Sequence, residues 1–146
     1  FALLLLPCAA GLAAQAEVLA TLAPNEQMVK QGTAPRFVVK IRAGSGPLRV
    51  MKFAQRNDLR HAYARVTVTR GGQPVSVARV ISDPGPTAEG DYVVLPAGQE
   101  VTFAHDGMPF LLSRLPLGTY EATVKLRPDW RSAAVLSNSV TFQVVP

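Results

Sequence analysis

Few side chains in this sequence have the type and spacing that a metal site needs. The segment His105-Asp106-Gly107-Met108 places an imidazole, a carboxylate and a thioether close together, and these ligand types suit copper in an oxidising compartment. His105 and Met108 are therefore candidate copper ligands. A structural role is the preferred interpretation, because Asp-Gly favours a turn and methionine packs readily into cores. The other histidine, His61, has no spacing that completes the site, so we expect no bound metal and no cofactor.

The sequence carries no motif of a known catalytic class. The patterns HExxH, CxxC and GxSxG and the glycine-rich phosphate loop are all missing from it, and each of these supplies reactive groups at a fixed spacing. Glu89 and Asp91 are close in sequence, but they lie in a segment rich in proline and glycine. Acids in such a segment are more often solvated than arranged for general acid and base catalysis. We therefore expect no catalytic residues and a protein that is not an enzyme.

Charge is distributed unevenly along the chain. Residues 30–79 contain eleven Lys or Arg and one acid, Asp58, whereas residues 80–146 contain four Lys or Arg and seven acids. The first region is therefore net positive by ten charges and the second net negative by three. This asymmetry predicts a basic surface that could meet an anionic partner.

Four basic residues are candidates for this anionic-partner face, because strand alternation places their side chains outward. They are Arg36, Lys40, Arg42 and Arg65. Arg65 joins the other three only if its strand belongs to the same sheet. The alternative interpretation is a solvated surface, since outward charges also protect edge strands from pairing. Nucleic acid is not expected as the partner, because no aromatic residues interleave with these cations as a stacking platform would require.

Trp130 is the single tryptophan of the sequence and lies between Pro128-Asp129 and Arg131, in a segment predicted to connect two strands. An exposed tryptophan in a loop would act as a binding anchor. The favoured interpretation at this point is that Trp130 caps one end of the hydrophobic core.

Alternating apolar and polar residues predict the elements that position these side chains. In Arg36 to Arg42 (RFVVKIR) the apolar residues alternate with charged ones. Gly71-Gly72 suits a two-residue hairpin turn that pairs Arg70 with Gln73. Polar residues 54–61 are predicted as a loop, and no segment has a helical period. The same criteria predict further strands at residues 17–23, 48–53, 92–95, 100–104 and 139–145.

Leu115 to Leu126 (LPLGTYEATVKL) has the pattern of a strand that begins at a corner. Tyr120 and the alternate residues after it share one apolar face. Immunoglobulin-like sandwiches carry a tyrosine at the start of their sixth strand, where its hydroxyl bonds back to the preceding loop. Tyr120 is therefore predicted to be a structural corner. The strand count predicts an all-β, immunoglobulin-like antiparallel β-sandwich of seven to nine strands.

The first sixteen residues, FALLLLPCAAGLAAQA, are uncharged and close on Ala14-Gln15-Ala16. Small residues at these positions are typical of a signal-peptidase site. We therefore expect residues 1–16 to be a secretory signal, truncated at its start, and residues 17–146 to form a single immunoglobulin-like domain. Cys8 is the single cysteine, so the mature domain would have no disulfide, which favours a bacterial envelope protein.

The segment Pro86 to Phe103 (PTAEGDYVVLPAGQEVTF) carries a family resemblance. It follows the hairpin TVTRGGQPVSV and precedes LGTYEATVKL, and this order resembles the immunoglobulin-like accessory domain of secreted deuterolysin-type metallopeptidases. The zinc-binding helix of those peptidases is missing here. The resemblance therefore implies a folding, inhibitory or targeting module and transfers no catalytic residue.

Taken together, the sequence predicts a non-enzymatic, exported domain that binds another protein or a cell-envelope component. We expect it in the bacterial periplasm or outside the cell, with no membrane span once the signal is removed. An anionic ligand is one expected class of partner. Two alternatives stay open: a small periplasmic copper-binding protein that uses His105 and Met108, and a hydrolase with an unrecognised site.

Overall fold

The computed structural model describes residues 18–75, 84–105 and 112–146, and β-strands dominate these residues. The predicted signal segment and Met108 lie outside them. In chain order the strands are β1 (Val18–Pro24), β2 (Met28–Lys30), β3 (Phe37–Ala43), β4 (Leu48–Met51), β5 (Ala64–Arg70), β6 (Gln73–Pro74), β7 (Tyr92–Leu95), β8 (Glu100–His105), β9 (Gly118–Leu126), β10 (Val135–Leu136) and β11 (Val140–Val145).

The predicted all-β, sandwich-like fold class is confirmed, but the described residues contain eleven strands rather than seven to nine. The two strands that the sequence did not predict, β2 and β10, are only three and two residues long. Segments of this length are too short to show an alternating pattern. Pairing is mostly antiparallel as predicted, except that β2 runs parallel to β11.

Two main sheets enclose the core. One has three strands in the order β1-β3-β8, and the other has the order β2-β11-β9-β5-β6, with β10 also paired to β9. A separate two-stranded ribbon is formed by β4 and β7. The ring of Phe37 on β3 lies edge-on to Phe142 on β11, with 5.8 Å between ring centroids, and Phe142 stacks on Tyr120. Aromatic contacts therefore join the inner faces of the two sheets.

Alternation explains which side chains enter this core. Along β3 the buried residues are Phe37, Val39, Ile41 and Ala43, and the residues between them face outward. Along β9 the buried residues are Tyr120, Ala122, Val124 and Leu126. The residues that alternate with these buried ones face away from the core. Since the core lies between the two sheets, the outward residues of one sheet and those of the other lie on opposite sides of the sandwich.

The side chain of Asn138 binds the backbone of the edge strand β1. Its side-chain amide donates to the backbone oxygen of Leu22 at 3.1 Å, and its side-chain oxygen accepts from the Leu22 N–H at 2.8 Å. The amide thus satisfies both polar groups of an edge-strand residue, as a neighbouring strand would.

The hairpin predicted around Gly71-Gly72 is present. Arg70 pairs with Gln73 in the predicted register, and both glycines have positive φ angles, 56° and 77°. Positive φ at both central residues is the geometry of the turn type that matches the twist of the flanking strands. Most of the second strand predicted for this hairpin falls in residues 76–83, outside the described residues.

The prediction of a loop at residues 54–61 is wrong in part, because a helix, α1 (Asn57–Tyr63), occupies most of it. The helix is seven residues long and buries Leu59 alone, so it has no repeating apolar face that a periodicity criterion could detect. Among the described residues no helix is long and apolar enough to cross a membrane.

Candidate functional site

The candidate copper ligand His105 lies in the core. Its side chain is 3% exposed, and Nε2 lies 2.7 Å from the backbone oxygen of Ala64. The ring packs edge-on against His61, with centroids 5.7 Å apart. His105 therefore connects β8 to β5 through its Nε2 atom. The other candidate, Met108, is outside the described residues, and within those residues no group of three or more His, Cys, Asp or Glu side chains is placed to hold a metal ion.

The closely spaced acids Glu89 and Asp91 do not act as a pair. Both lie in a short 3-10 turn (Glu89–Asp91), but their carboxylates contact different arginines. Glu89 accepts from Arg49 at 2.8 Å, and Asp91 accepts from Arg56. Because each carboxylate has its own cation, the geometry does not set up one acid and one base across a shared substrate position.

The four residues of the predicted anionic-partner face do not share one face. Lys40 and Arg42 project from β3 in the three-stranded sheet and Arg36 immediately precedes that strand, whereas Arg65 is on β5 in the larger sheet. Outward faces of the two sheets point in opposite directions. Arg65 therefore belongs to a different surface, because its strand is not in the sheet of β3.

The basic face that remains on the three-stranded sheet is partly neutralised. Lys40 forms an ion pair with Glu100 of β8, with 3.4 Å between nitrogen and oxygen, and both side chains are about half exposed. Arg42 lies directly opposite Glu100 in the strand register. Exposed pairs of this kind contribute little to stability. They do lower the net charge that this face offers to an anion.

Arg65 has basic neighbours of its own that the sequence did not reveal. It lies directly opposite Lys125 of β9. The N–H of Arg127 donates to the backbone oxygen of Tyr63 at 2.9 Å, which extends the ladder by one step and places Arg127 on the same side as Lys125. All three basic side chains are exposed, and within the described residues none has an ion pair with an acid.

This cluster is hidden in the sequence by the distribution of charge along the chain. Lys125 and Arg127 fall in the half of the chain whose net charge is negative, so a count by region hides them. Among the described residues, the acids of this half form no ion pair with Lys125 or Arg127. Asp129 and Glu89, for example, are paired with Arg49. The alternation in β9 is the sequence feature that could have revealed the cluster, because it places Lys125 outward.

Trp130 lies in the loop of a hairpin whose first strand is β9. Leu126 pairs with Val135, so residues 127–134 connect β9 to β10. Trp130 is 48% exposed, and the guanidinium carbon of Arg131 lies 4.9 Å from the centroid of its ring. The expectation that Trp130 caps the core is therefore wrong: Pro128 and Asp129 turn inward at this point and leave the indole outside.

Hydrogen bonds fix the backbone on both sides of Trp130. The N–H of Met51 donates to the Pro128 oxygen at 2.8 Å. The Asp129 carboxylate is 8% exposed and accepts from Arg49 and from the N–H of Arg131, each at 3.1 Å. The loop is thus attached to β4 by main-chain and side-chain contacts, and the indole is presented from a defined backbone.

Arg49 is the centre of this attachment. Its two terminal nitrogens bind Asp129 and Glu89, and its guanidinium carbon lies 3.8 Å from the centroid of the Tyr92 ring. The Tyr92 hydroxyl in turn lies 2.7 Å from the Thr87 hydroxyl. A planar guanidinium suits this combination of two carboxylates and an aromatic face, which a lysine ammonium would not match.

A second large apolar side chain, Leu136 on β10, is exposed next to the cations. It is 66% exposed and lies directly opposite Lys125. Residues directly opposite each other point to the same side of a sheet. We call the exposed set formed by Arg65, Lys125, Arg127, Trp130 and Leu136 the hairpin patch.

The predicted corner residue Tyr120 is structural. Its hydroxyl donates to the backbone oxygen of Pro116 at 2.7 Å, and the side chain is buried. The guanidinium of Arg70 covers the corner and donates to the Leu117 oxygen at 3.1 Å. Tyr120 therefore orients the start of β9, the strand that carries Lys125.

The sequence matches no known family model, and no curated protein is significantly similar to it. Fold and side-chain geometry are therefore the basis for a functional proposal. The resemblance to deuterolysin accessory domains stays a prediction.

Proposed function

We propose that the protein is a non-enzymatic binding domain of the bacterial cell envelope that contacts its partner, another protein or an envelope component, through the Trp130 loop. The observation that carries this proposal is the combination of an exposed indole with a fixed backbone. Tryptophan is strongly enriched among the residues that dominate binding energy. A side chain presented from an ordered loop also loses less conformational entropy when a partner binds.

The predicted signal segment supports the envelope location in this proposal. The uncharged segment of residues 1–16 ends in the small residues expected before a signal-peptidase site. A mature domain without cysteine fits a compartment in which the fold does not depend on disulfides.

Neither alternative function is favoured by a specific contact. Copper binding would have to use the other ring nitrogen of His105, on a residue that is 3% exposed. Hydrolysis would need a nucleophile beside a base, whereas Glu89 and Asp91 contact separate arginines. The folding, inhibitory or targeting role implied by the family resemblance agrees with a binding domain.

Site-specific photo-cross-linking in the bacterial host tests the proposal. A benzophenone amino acid replaces Trp130 in one variant and Leu19 in a control variant. Leu19 suits the control because it is also an exposed apolar residue, 58% exposed, but lies on the three-stranded sheet. Both variants are exported from the full precursor and illuminated in intact cells.

We expect position 130 to give a discrete adduct that position 19 does not give, and mass spectrometry of the adduct identifies a protein or a lipid. Identical adducts at both positions, or none at position 130, would overturn the proposed contact.

A further inference from the structure

We propose that the hairpin patch docks the domain onto an anionic phospholipid surface. Arg65, Lys125 and Arg127 bind the phosphate groups of the lipid headgroups, while Trp130 and Leu136 enter the interfacial region. This inference rests on the proposed contact role of the Trp130 loop and names the envelope component that the loop contacts.

The spacing of the three cations is the first argument. Side chains directly opposite each other in an antiparallel pair have their Cβ atoms about 5 Å apart, and like charges in these positions are destabilising. Arg65 and Lys125 are such a pair, and Arg127 lies about 7 Å further along the strand. The nearest outward acid on β9, Glu121, is four residues from Lys125, about 13 Å away. An anion that binds across the three cations would relieve their repulsion.

The apolar members of the patch are the second argument. Exposed large apolar side chains combined with cations are the composition of membrane-interface anchors, in which the indole lies at headgroup level. Here Leu136 lies opposite Lys125, and the ring of Trp130 contacts Arg131. Leu136 projects beside Lys125, and Trp130 projects from the loop that the same two strands support. Lys and Arg stems can extend along the apolar surface while their charged ends reach phosphate.

The three-stranded sheet provides the matched comparison. It also carries three cations, Arg36, Lys40 and Arg42, and one exposed leucine, Leu19. It differs in the ion pair between Lys40 and Glu100 and in having no tryptophan. Adsorption driven by net charge alone would not distinguish the two faces, whereas docking through the hairpin patch would.

Vesicle sedimentation with the mature protein makes this comparison. We compare neutral phosphatidylcholine vesicles with vesicles that contain about 30% phosphatidylglycerol, at low and at physiological salt. The patch variant Arg65→Gln/Lys125→Gln/Arg127→Gln removes three cations, and the control variant Arg36→Gln/Lys40→Gln/Arg42→Gln removes the same number from the other face. Far-UV circular dichroism and the unfolding midpoint verify that both variants are folded.

We expect binding to the anionic vesicles alone, weakened on the order of 100-fold in the patch variant and little changed in the control variant. Equal losses in both variants would show adsorption by net charge and overturn the proposal. Absence of binding at low salt would also overturn it.

Tryptophan fluorescence gives a readout that needs no variant, because Trp130 is the single tryptophan in the sequence. Docking through the patch moves the indole out of water, so its emission should shift to shorter wavelength on anionic vesicles and be quenched by brominated lipid chains. Vesicle binding without this shift would place the contact on another face and overturn the proposal. If vesicles do not bind but position 130 cross-links to a protein, this inference fails and the proposed function stands.

Discussion

Arg49 and Asp129 are eighty residues apart in the chain, and a hydrogen bond of 3.1 Å joins the guanidinium of one to the buried carboxylate of the other. This bond attaches the Trp130 loop to β4. It is the contact through which a strand at one side of the fold determines where the exposed indole lies.

Replacement of Arg49 by methionine should destabilise the protein and loosen the Trp130 loop. Methionine keeps an apolar stem over Tyr92 but leaves the Asp129 carboxylate, 8% exposed, with one donor fewer. We expect the free energy of unfolding to fall by about 1–3 kcal/mol, measured by urea denaturation, and the fluorescence anisotropy of Trp130 to decrease. Arg42→Met is the control, because Arg42 is exposed, and its effect should stay within about 0.5 kcal/mol. Equal effects of the two changes would contradict the positioning role of Arg49.

Tyr120→Phe should remove a single buried hydrogen bond without altering the ring stack on Phe142. The expected loss is about 0.5–1.5 kcal/mol, and it rises if the Pro116 oxygen finds no water as a substitute donor. Chemical denaturation measures this loss, with Tyr63→Phe as the control, because the Tyr63 hydroxyl has no hydrogen bond within the described residues. An unchanged unfolding midpoint for Tyr120→Phe would show that the corner bond contributes nothing.

Strands with a long alternation of buried and exposed residues could be predicted from the sequence, whereas α1, β2 and β10 could not, for physical reasons. Strands β3 and β9 bury every second residue over seven and nine residues, so their pattern is long enough to detect. Helix α1 buries Leu59 alone, and β2 and β10 are shorter than one full alternation. Such elements are formed by tertiary contacts, for example the bonds that hold β10 against β9.

The candidate site was less accessible to sequence reasoning than the fold. Alternation places Arg65 and Lys125 outward on their own strands but cannot state that the two residues are directly opposite, because strand order is a property of the whole fold. Exposure of Trp130 depends on Asp129, whose carboxylate is drawn inward by an arginine eighty residues away. Pairings over such distances in sequence leave no local pattern.

Gly118→Ala should destabilise the start of β9 mainly through its backbone conformation, because the neighbouring Arg70 side chain is flexible and can shift. Gly118 has a φ of 149°, which residues with a side chain rarely adopt, and a Cβ atom there would lie 2.7 Å from a terminal nitrogen of Arg70. A strained φ costs on the order of 1–3 kcal/mol. Gly46→Ala is the matched control, because no atom of the described residues lies within 4 Å of its Cβ position, and it should leave stability unchanged or slightly raised.

Thermal unfolding of the two glycine variants measures the difference. The double variant Arg70→Ala/Gly118→Ala is compared with Arg70→Ala alone, which already loses the bond to the Leu117 oxygen, and the remaining difference is the part of the loss that comes from φ. If Gly118→Ala and Gly46→Ala behaved alike, the strain assigned to the φ of Gly118 would be disproved.

Asp58 should make the stability of α1 depend on pH in the acid range. Hydrogen bonds from Arg56 at 2.6 Å and 2.9 Å lower the pKa of the Asp58 carboxyl from 3.8 to about 2. A pKa that is lower in the folded state than in the unfolded state stabilises the fold at pH values above the unfolded pKa. This contribution is lost as the pH falls from about 4 through 2, because the carboxyl is then protonated in both states.

Asp58→Asn should therefore lower the unfolding midpoint most at neutral pH, and the difference from the unmodified protein should shrink as the pH falls from about 4 and approach zero below about pH 2. Urea denaturation over this pH range measures the difference, and added salt should reduce it because the pair is exposed. Glu26→Gln is the control: Glu26 is exposed, and its change should have a small effect at every pH. A difference for Asp58→Asn that stayed constant from neutral pH to pH 2 would show that the ionised carboxylate does not stabilise the helix through Arg56.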